Sequence, residues 1–243
     1  MTAAGRGHDV TLVEKNGRLG GNLYPAGAPY FKQDILDFCE VLIRRVKEAG
    51  VKVVLNTAVT EDYIREFNPD ALFVAIGSDE IVPSIKGMDL PHVVMAIDAE
   101  LHPEKLGGRV AVIGGGLVGA EAAISFAHEG KECSVIEMKH AVAEDVNSFY
   151  RGGLMPHVEE SAELYVDTKV KEILPTGVLC ERGGKEFVVE ADSVVCAVGF
   201  KAPYDMVDKF CELVDESYII GDCSNVAQIY QAVNAAYYAA LNL

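Results

Sequence analysis

The sequence predicts an α/β protein made of two copies of one three-layer plan, each built around a mostly parallel sheet. Two observations predict it. Over residues 109–138 a strand, a glycine-rich loop, a helix, a second strand and an acidic residue follow in register. Landmarks of that unit then recur near the N-terminus at almost constant spacing.

The first observation is the stretch RVAVIGGGLVGAEAAISFAHEGKECSVIEM. Val110–Ile113 is a short apolar run suited to a buried parallel strand. Gly114, Gly116 and Gly119 complete GxGxxG and open a helix expected to turn Ala123 and Phe126 inward. Ser134–Ile136 is the next strand, and Glu137 closes it 21 positions beyond Gly116 (137 − 116), near the spacing of a ribose-binding acid. Gly114 permits the turn, and Gly116 leaves room for a pyrophosphate. Gly119 lets the helix pack on the strand, while the helix N-terminus offers free N–H groups to phosphate. Glu137 accepts hydrogen bonds from ribose hydroxyls and repels a 2′-phosphate, so NADH is expected over NADPH. The unit is Rossmann-like.

The second observation is internal repetition. GHDVTLVEK (7–15) parallels GKECSVIEM (130–138): 130 − 7 and 137 − 14 are both 123. ALFVAIG (71–77) parallels VVCAVG (194–199), with Gly77 and Gly199 at 199 − 77 = 122. Applied backwards from Gly114, the offset gives 114 − 123 = −9. The first copy therefore lacks its N-terminal strand and glycine loop within these 243 residues. Two domains are expected: residues 1–100 with 203–243, and residues 101–202.

The remaining elements follow from periodicity and punctuation. Ile35, Phe38, Leu42, Ile43 and Val46 mark a helix over Asp34–Ala49, stopped by Gly50. Val51–Leu55 and Ala71–Ile76 read as strands, with a short helix over Glu61–Phe67 between them. Residues 78–108, punctuated by Pro83, Pro91 and Pro103, read as a connection. Strand-like pieces follow near Ala162–Val166, Lys169–Leu174 with Val178–Glu181, and Phe187–Glu190, and ERGGKE (181–186) reads as a hairpin turn. A last strand within residues 215–223 and a helix over Ile229–Leu241 close the chain.

Composition narrows the function. A net charge of −16 argues against nucleic acid or an anionic membrane as partner. No apolar run reaches membrane-spanning length and no signal peptide is seen, so a cytoplasmic protein is expected. The six cysteines form no CxxC pair, and Cys133, Cys180 and Cys196 lie in apolar runs as core residues. The six histidines are scattered, at surface or loop positions. No metal cluster and no catalytic triad is expected.

With VEK…LGGN (13–22), AIG (75–77), GGGLVGAE (114–121), AVG (197–199) and IIGDC (219–223), the chain resembles the two-dinucleotide-binding-domain flavoproteins of the pyridine nucleotide–disulfide reductase superfamily. The wording RGHDVTLVEK…LGGNL…AGAP is similar to the C-terminal region of old-yellow-enzyme-related enoate and 2,4-dienoyl-CoA reductases. The resemblance implies that Glu14 binds the adenosine ribose of FAD, with Lys15 beside it. Gly20, Gly21 and Asn22 then border the pyrophosphate and flavin, and Val59 touches adenine. Ala75 and Gly77 belong to the same half-site, as does Gly221. Asp222 holds the ribityl chain, and Gln231 and Ala232 face the flavin pyrimidine edge. Gly114, Gly116, Leu117, Val118, Gly119 and Glu137 bind NADH, Glu121 approaches the nicotinamide end, and Ala197, Val198 and Gly199 line the groove.

The departures are equally informative. Disulfide-reducing members place two cysteines close together, either soon after the paired glycines or as a CxxC in the NADH domain, and neither pair is present here, so disulfide reduction is not expected. The enoate reductase branch also has an upstream barrel with FMN and an iron–sulfur cluster, neither of which these residues contain. The expected function is an NADH-to-FAD electron-entry module, the C-terminal part of such an enzyme. Its partner is the upstream barrel of the same polypeptide or an electron-acceptor protein. By itself the chain is expected to hold NAD(H) but FAD weakly or not at all. The alternatives are a free-standing NADH-dependent flavoprotein reductase and a nucleotide-binding structural module without hydride transfer.

Overall fold

A computed structural model describes residues 1–243. In chain order the first elements are α1 (Thr2–Gly5), β1 (Thr11–Val13), α2 (Leu23–Gly27), α3 (Gln33–Glu48), β2 (Lys52–Val54), α4 (Glu61–Phe67), β3 (Ala71–Val74) and β4 (Asp79–Glu80). Then come β5 (Val93–Met95), α5 (Ala96–Leu101), β6 (Arg109–Ile113), α6 (Leu117–His128), β7 (Glu132–Ile136), α7 (Ser148–Ser161) and β8 (Ala162–Tyr165). The remainder are β9 (Lys169–Leu174), β10 (Gly177–Arg182), β11 (Lys185–Glu190), β12 (Ser193–Cys196), β13 (Phe200–Lys201), α8 (Tyr204–Cys211), β14 (Glu216–Ile219) and α9 (Ile229–Asn242).

Two compact units form. One comprises Met1–Leu23, Asp34–Asp79 and Phe200–Leu243; the other comprises Tyr24–Gln33 and Glu80–Gly199. These limits differ from the expected 1–100/203–243 and 101–202. The stretch read as a connection contains β5, which pairs in parallel with β12 (Val194↔Val93, Val195↔Val94, Cys196↔Met95) and so joins the second unit. Residues 24–33 join that unit too: Tyr30 stacks on His128, ring centroids 3.8 Å apart, and Lys32 pairs with Glu121.

The second unit has three layers. Its parallel sheet runs β5-β12-β6-β7-β8. Alternating side chains of the central strand face opposite layers, as the two-residue period of a strand requires. Val110 and Val112 join Val135, Val195 and the buried residues of α5, α6 and α7 in one core. Ala111 and Ile113 join Ile136, Val194 and the antiparallel sheet β11-β10-β9 in another. Ala123 and Phe126 are fully buried, so α6 packs as its pattern implied. The hairpin between β10 and β11 turns on Gly183 and Gly184, both at positive φ.

The first unit repeats this order with one strand fewer. β1 pairs only with β2 and β3 only with β14, both in parallel, as two separate sheets. By the 123 and 122 offsets β1 and β3 correspond to β7 and β12, which in the second unit flank β6. Neither β1 nor β3 has a second strand partner. The core here is correspondingly thin, centred on Ile64, Val74, Val207, Phe210, Val214 and Cys223. On α3 only Cys39 is buried, and Phe38 is 43% exposed.

Candidate nucleotide-binding site

The C-terminal ends of β6, β7 and β12 meet at the glycine loop, where open parallel sheets bind ligands. Gly114 has φ +102°, and a Cβ there would stand 2.5 Å from the Ala197 carbonyl oxygen, so Gly114 and Ala197 are adjacent. Ala197 N–H donates to Ile113 O at 2.8 Å. A Cβ on Gly119 would overlap Gly114 O, which is how closely α6 packs on the loop. At Gly116 the Cβ direction is open space. Gly116 caps α6 without any side-chain hydrogen bond, leaving the first-turn N–H groups of Leu117, Val118 and Gly119 without a side-chain acceptor at a positive helix end. That arrangement suits a pyrophosphate.

Glu137 is buried at 7% exposure. Its Oε2 accepts the Gly115 N–H at 2.6 Å, and its Oε1 accepts the Lys139 N–H at 2.7 Å. Glu137 N–H donates to Tyr165 O, and Thr168 N–H donates to Glu137 O. The Ala143 N–H bonds Gly115 O at 2.7 Å, so the connection after β7 is tied to the loop from both sides. Val198 and Gly199 continue from Ala197, and Gly199 O accepts the Ile81 N–H at 2.9 Å.

In the first unit the same wiring recurs. Glu14 Oε1 accepts the Asn16 N–H at 2.7 Å, as Glu137 does from Lys139. Glu14 N–H donates to Val54 O, Thr57 N–H donates to Glu14 O, and Asn56 takes φ +54° where Asp167 takes +51°. These partners correspond at an offset of 111 (165 − 54, 167 − 56 and 168 − 57). The repeat thus reaches β2 and β8, where side-chain identity had hidden it. The counterpart of the Gly115 donor, 115 − 123 = −8, lies outside the chain. Glu14 is half-buried, where Glu137 is buried.

Other first-unit residues gather elsewhere. Gly221, Gln231 and Ala232 line a recess of about 100 Å³ with Ser224, Asn225, Ala227 and Ala235. Asp222 closes this loop, its Oδ1 accepting the Ala227 N–H at 3.2 Å and its Oδ2 lying 3.5 Å from Ser78 Oγ. Gly20 and Gly21 take positive φ, Gly20 O accepts the Leu23 N–H, and Lys15 and Asn22 are exposed. Val59 packs against the Ile64–Val74 core, and Ala75 and Gly77 follow β3 directly.

A matching family model covers residues 1–240 and is that of the pyridine nucleotide-disulphide oxidoreductases. The chain belongs to this family. Cinnamate reductase of Clostridium sporogenes is 33% identical over 99% of the chain, and bilirubin reductase of Mediterraneibacter gnavus is 35% identical over 98%. A solved 2-naphthoyl-CoA reductase superposes with a TM-score of 0.91 at 31% identity, covering 99% of the chain. The chain spans little more than a third of each of these proteins: 36%, 37% and 37% of their length. The thioredoxin reductase of T. acidophilum, at 20% identity and TM-score 0.75, shares the fold.

This member of the oxidoreductase family holds a polar cluster that its sequence did not announce. Glu121, on the second turn of α6, is 6% exposed. Lys32 Nζ donates to its Oε2 at 2.7 Å, and the Tyr150 hydroxyl donates to its Oε1 at 2.7 Å. Neither partner was expected from the sequence, since they stand 89 and 29 positions away. Beside them Glu100 of α5 is buried, with Oε2 lacking any partner. Burial pushes its carboxyl up to about 7, the neighbouring Glu121 adding to the shift while Ser125 and Lys32 oppose it. None of the six cysteines is disulfide-bonded, and all but Cys211 are buried. No helix is long and apolar enough to cross a membrane.

Proposed function

We propose that the chain is the NADH-receiving, flavin-facing module of a longer reductase. The observation that carries this reading is the junction of the uncapped α6 N-terminus with Glu137 at the C-terminal ends of β6 and β7. The second unit fits a pyridine dinucleotide: the loop is glycine where a Cβ would intrude, and a buried acid stands at the next strand end. Here the Leu117, Val118 and Gly119 N–H groups hold the pyrophosphate. Glu137 takes the adenosine ribose and disfavours a 2′-phosphate, Ala197, Val198 and Gly199 line the groove, and Glu121 meets the nicotinamide end.

The first unit fits FAD in part. Glu14, with Lys15 beside it, provides the ribose acid, Gly20, Gly21 and Asn22 the turn, and Val59, Ala75 and Gly77 the adjoining wall. Gly221, Asp222, Gln231 and Ala232 provide the recess. A phosphate cradle matching Gly114–Gly119 is missing from these residues, so FAD requires more of the parent polypeptide. When both are bound, NADH supplies a hydride and FAD accepts it. The names cinnamate reductase and 2-naphthoyl-CoA reductase support reduction of an unsaturated acceptor, and the third of their length that the chain spans supports a further domain of the same polypeptide as its partner.

Titrating the chain with NADH and with NADPH tests the first half of this reading, a marked preference for NADH being expected. Mixing NADH with the full-length protein and watching the flavin's visible absorbance bleach tests the second half. Nucleotide binding without bleaching would leave a structural nucleotide-binding module instead.

A further inference from the structure

We infer that Tyr150 is a positioning residue for the nicotinamide carboxamide, acting through Glu121. The inference rests on the nucleotide reading above and adds to it a residue that no glycine-loop motif contains. Three observations meet in it. The Tyr150 hydroxyl donates to Glu121 Oε1 at 2.7 Å, while Lys32 occupies Oε2 at the same distance. The carboxylate is therefore held from two elements and cannot rotate without losing one of them. Each oxygen keeps a lone pair after one bond, so the fixed group still accepts a further N–H but repels a carbonyl.

The second observation concerns what anchors Tyr150. It stands at the third position of α7, where the Asn147 side chain accepts its backbone N–H at 2.9 Å. Arg151 Nε, the next residue, donates to Val142 O at 3.1 Å. Ala143, beside Val142, bonds Gly115 O. One connection, residues 137–151, thus carries Glu137 and Ala143 on the glycine loop and Tyr150 on Glu121. Third, burial and the Glu121 contact push the Tyr150 phenol up to about 12, so it remains a donor throughout the neutral range.

The test compares three ligands by calorimetry on the full chain: ADP-ribose, NADH, and the NADH analogue whose carboxamide is replaced by an acetyl group. Wild type is expected to bind NADH more tightly than the acetyl analogue, because only the amide donates to Glu121. In Tyr150→Phe the NADH affinity is expected to fall roughly 3–10-fold, as for loss of one hydrogen bond to an ionised group. The NADH preference over the acetyl analogue should shrink by the same factor, with ADP-ribose binding unchanged. Glu121→Gln should reduce that preference similarly. An unchanged preference in Y150F overturns the inference. So does loss of ADP-ribose binding in Y150F, which would make Tyr150 a support of the fold. A wild-type chain that binds none of the three ligands overturns the nucleotide reading itself, and this inference with it.

Discussion

Glu137 Oε2 accepts the Gly115 N–H at 2.6 Å, so the acid at the end of β7 is fastened to the glycine loop after β6 before any ligand arrives. The bond presets the distance between the Glu137 carboxylate and the glycine loop. It also satisfies a backbone donor beneath a carboxylate that is itself buried.

Glu137→Ala should therefore act twice. Removing the acceptor leaves the Gly115 and Lys139 N–H groups without their partner, a cost of about 1–3 kcal/mol. Thermal or urea denaturation should show that loss. NADH affinity should fall together with the discrimination against NADPH, and Glu137→Gln should lose less stability than discrimination. Unchanged NADPH binding in both variants would remove Glu137 from the ribose site.

At Gly114 two demands coincide: φ of +102° and a carbonyl 2.5 Å from where a Cβ would stand. Gly114→Ala is expected to destabilise by about 2–4 kcal/mol, combining overpacking with an unfavourable backbone region. Nucleotide binding should weaken as the loop shifts away from Ala197. Denaturation midpoints and an NADH titration on the same variant measure both effects.

Glu100 gives the second unit a pH signature. Its carboxyl is raised to about 7 from an unfolded value of 4.5, so between those values the folded chain holds a proton the unfolded chain has lost. The stabilisation is fully present below pH 4.5 and is lost as pH rises through 7. The full excursion is on the order of 3 kcal/mol. Glu100→Gln should flatten this slope and be the more stable protein at pH 8. Denaturation curves of both proteins at pH 5 and pH 8 decide it, and identical slopes would contradict the assignment.

These 243 residues, purified alone, are expected to carry no stoichiometric flavin, because the counterpart of the glycine loop falls outside them. An N-terminal extension from the parent gene, long enough to add a strand, a loop and the first turns of the helix that α1 completes, should restore flavin binding. It should also protect the backbone amides of β1 and β3 from hydrogen exchange, since both strands would gain a partner. A full flavin spectrum from the unextended chain would refute this.

Some features were hidden from the sequence for physical reasons. α7 is not legible in the sequence because Gly152, Gly153 and Pro156 interrupt its helical pattern, yet burial of Leu154 and Val158 on one face holds the helix. β5 was masked by the prolines around it. It is three residues long and forms only because β12 offers an open edge.

The sequence by itself determined the glycine loop, the acid at the strand end and the doubled plan, because each depends on residues close together in the chain or repeated at one spacing. Local backbone geometry and period are enough to specify such features. Only the tertiary structure decided that residues 24–33 and 80–100 join the second unit, and that Lys32 and Tyr150 grip Glu121 while one carboxyl oxygen of Glu100, Oε2, lies without a partner beside them. Those pairings arise when helices and loops distant in sequence are packed on one sheet, and the cost of burying a charge selects its partners from whatever the fold brings near.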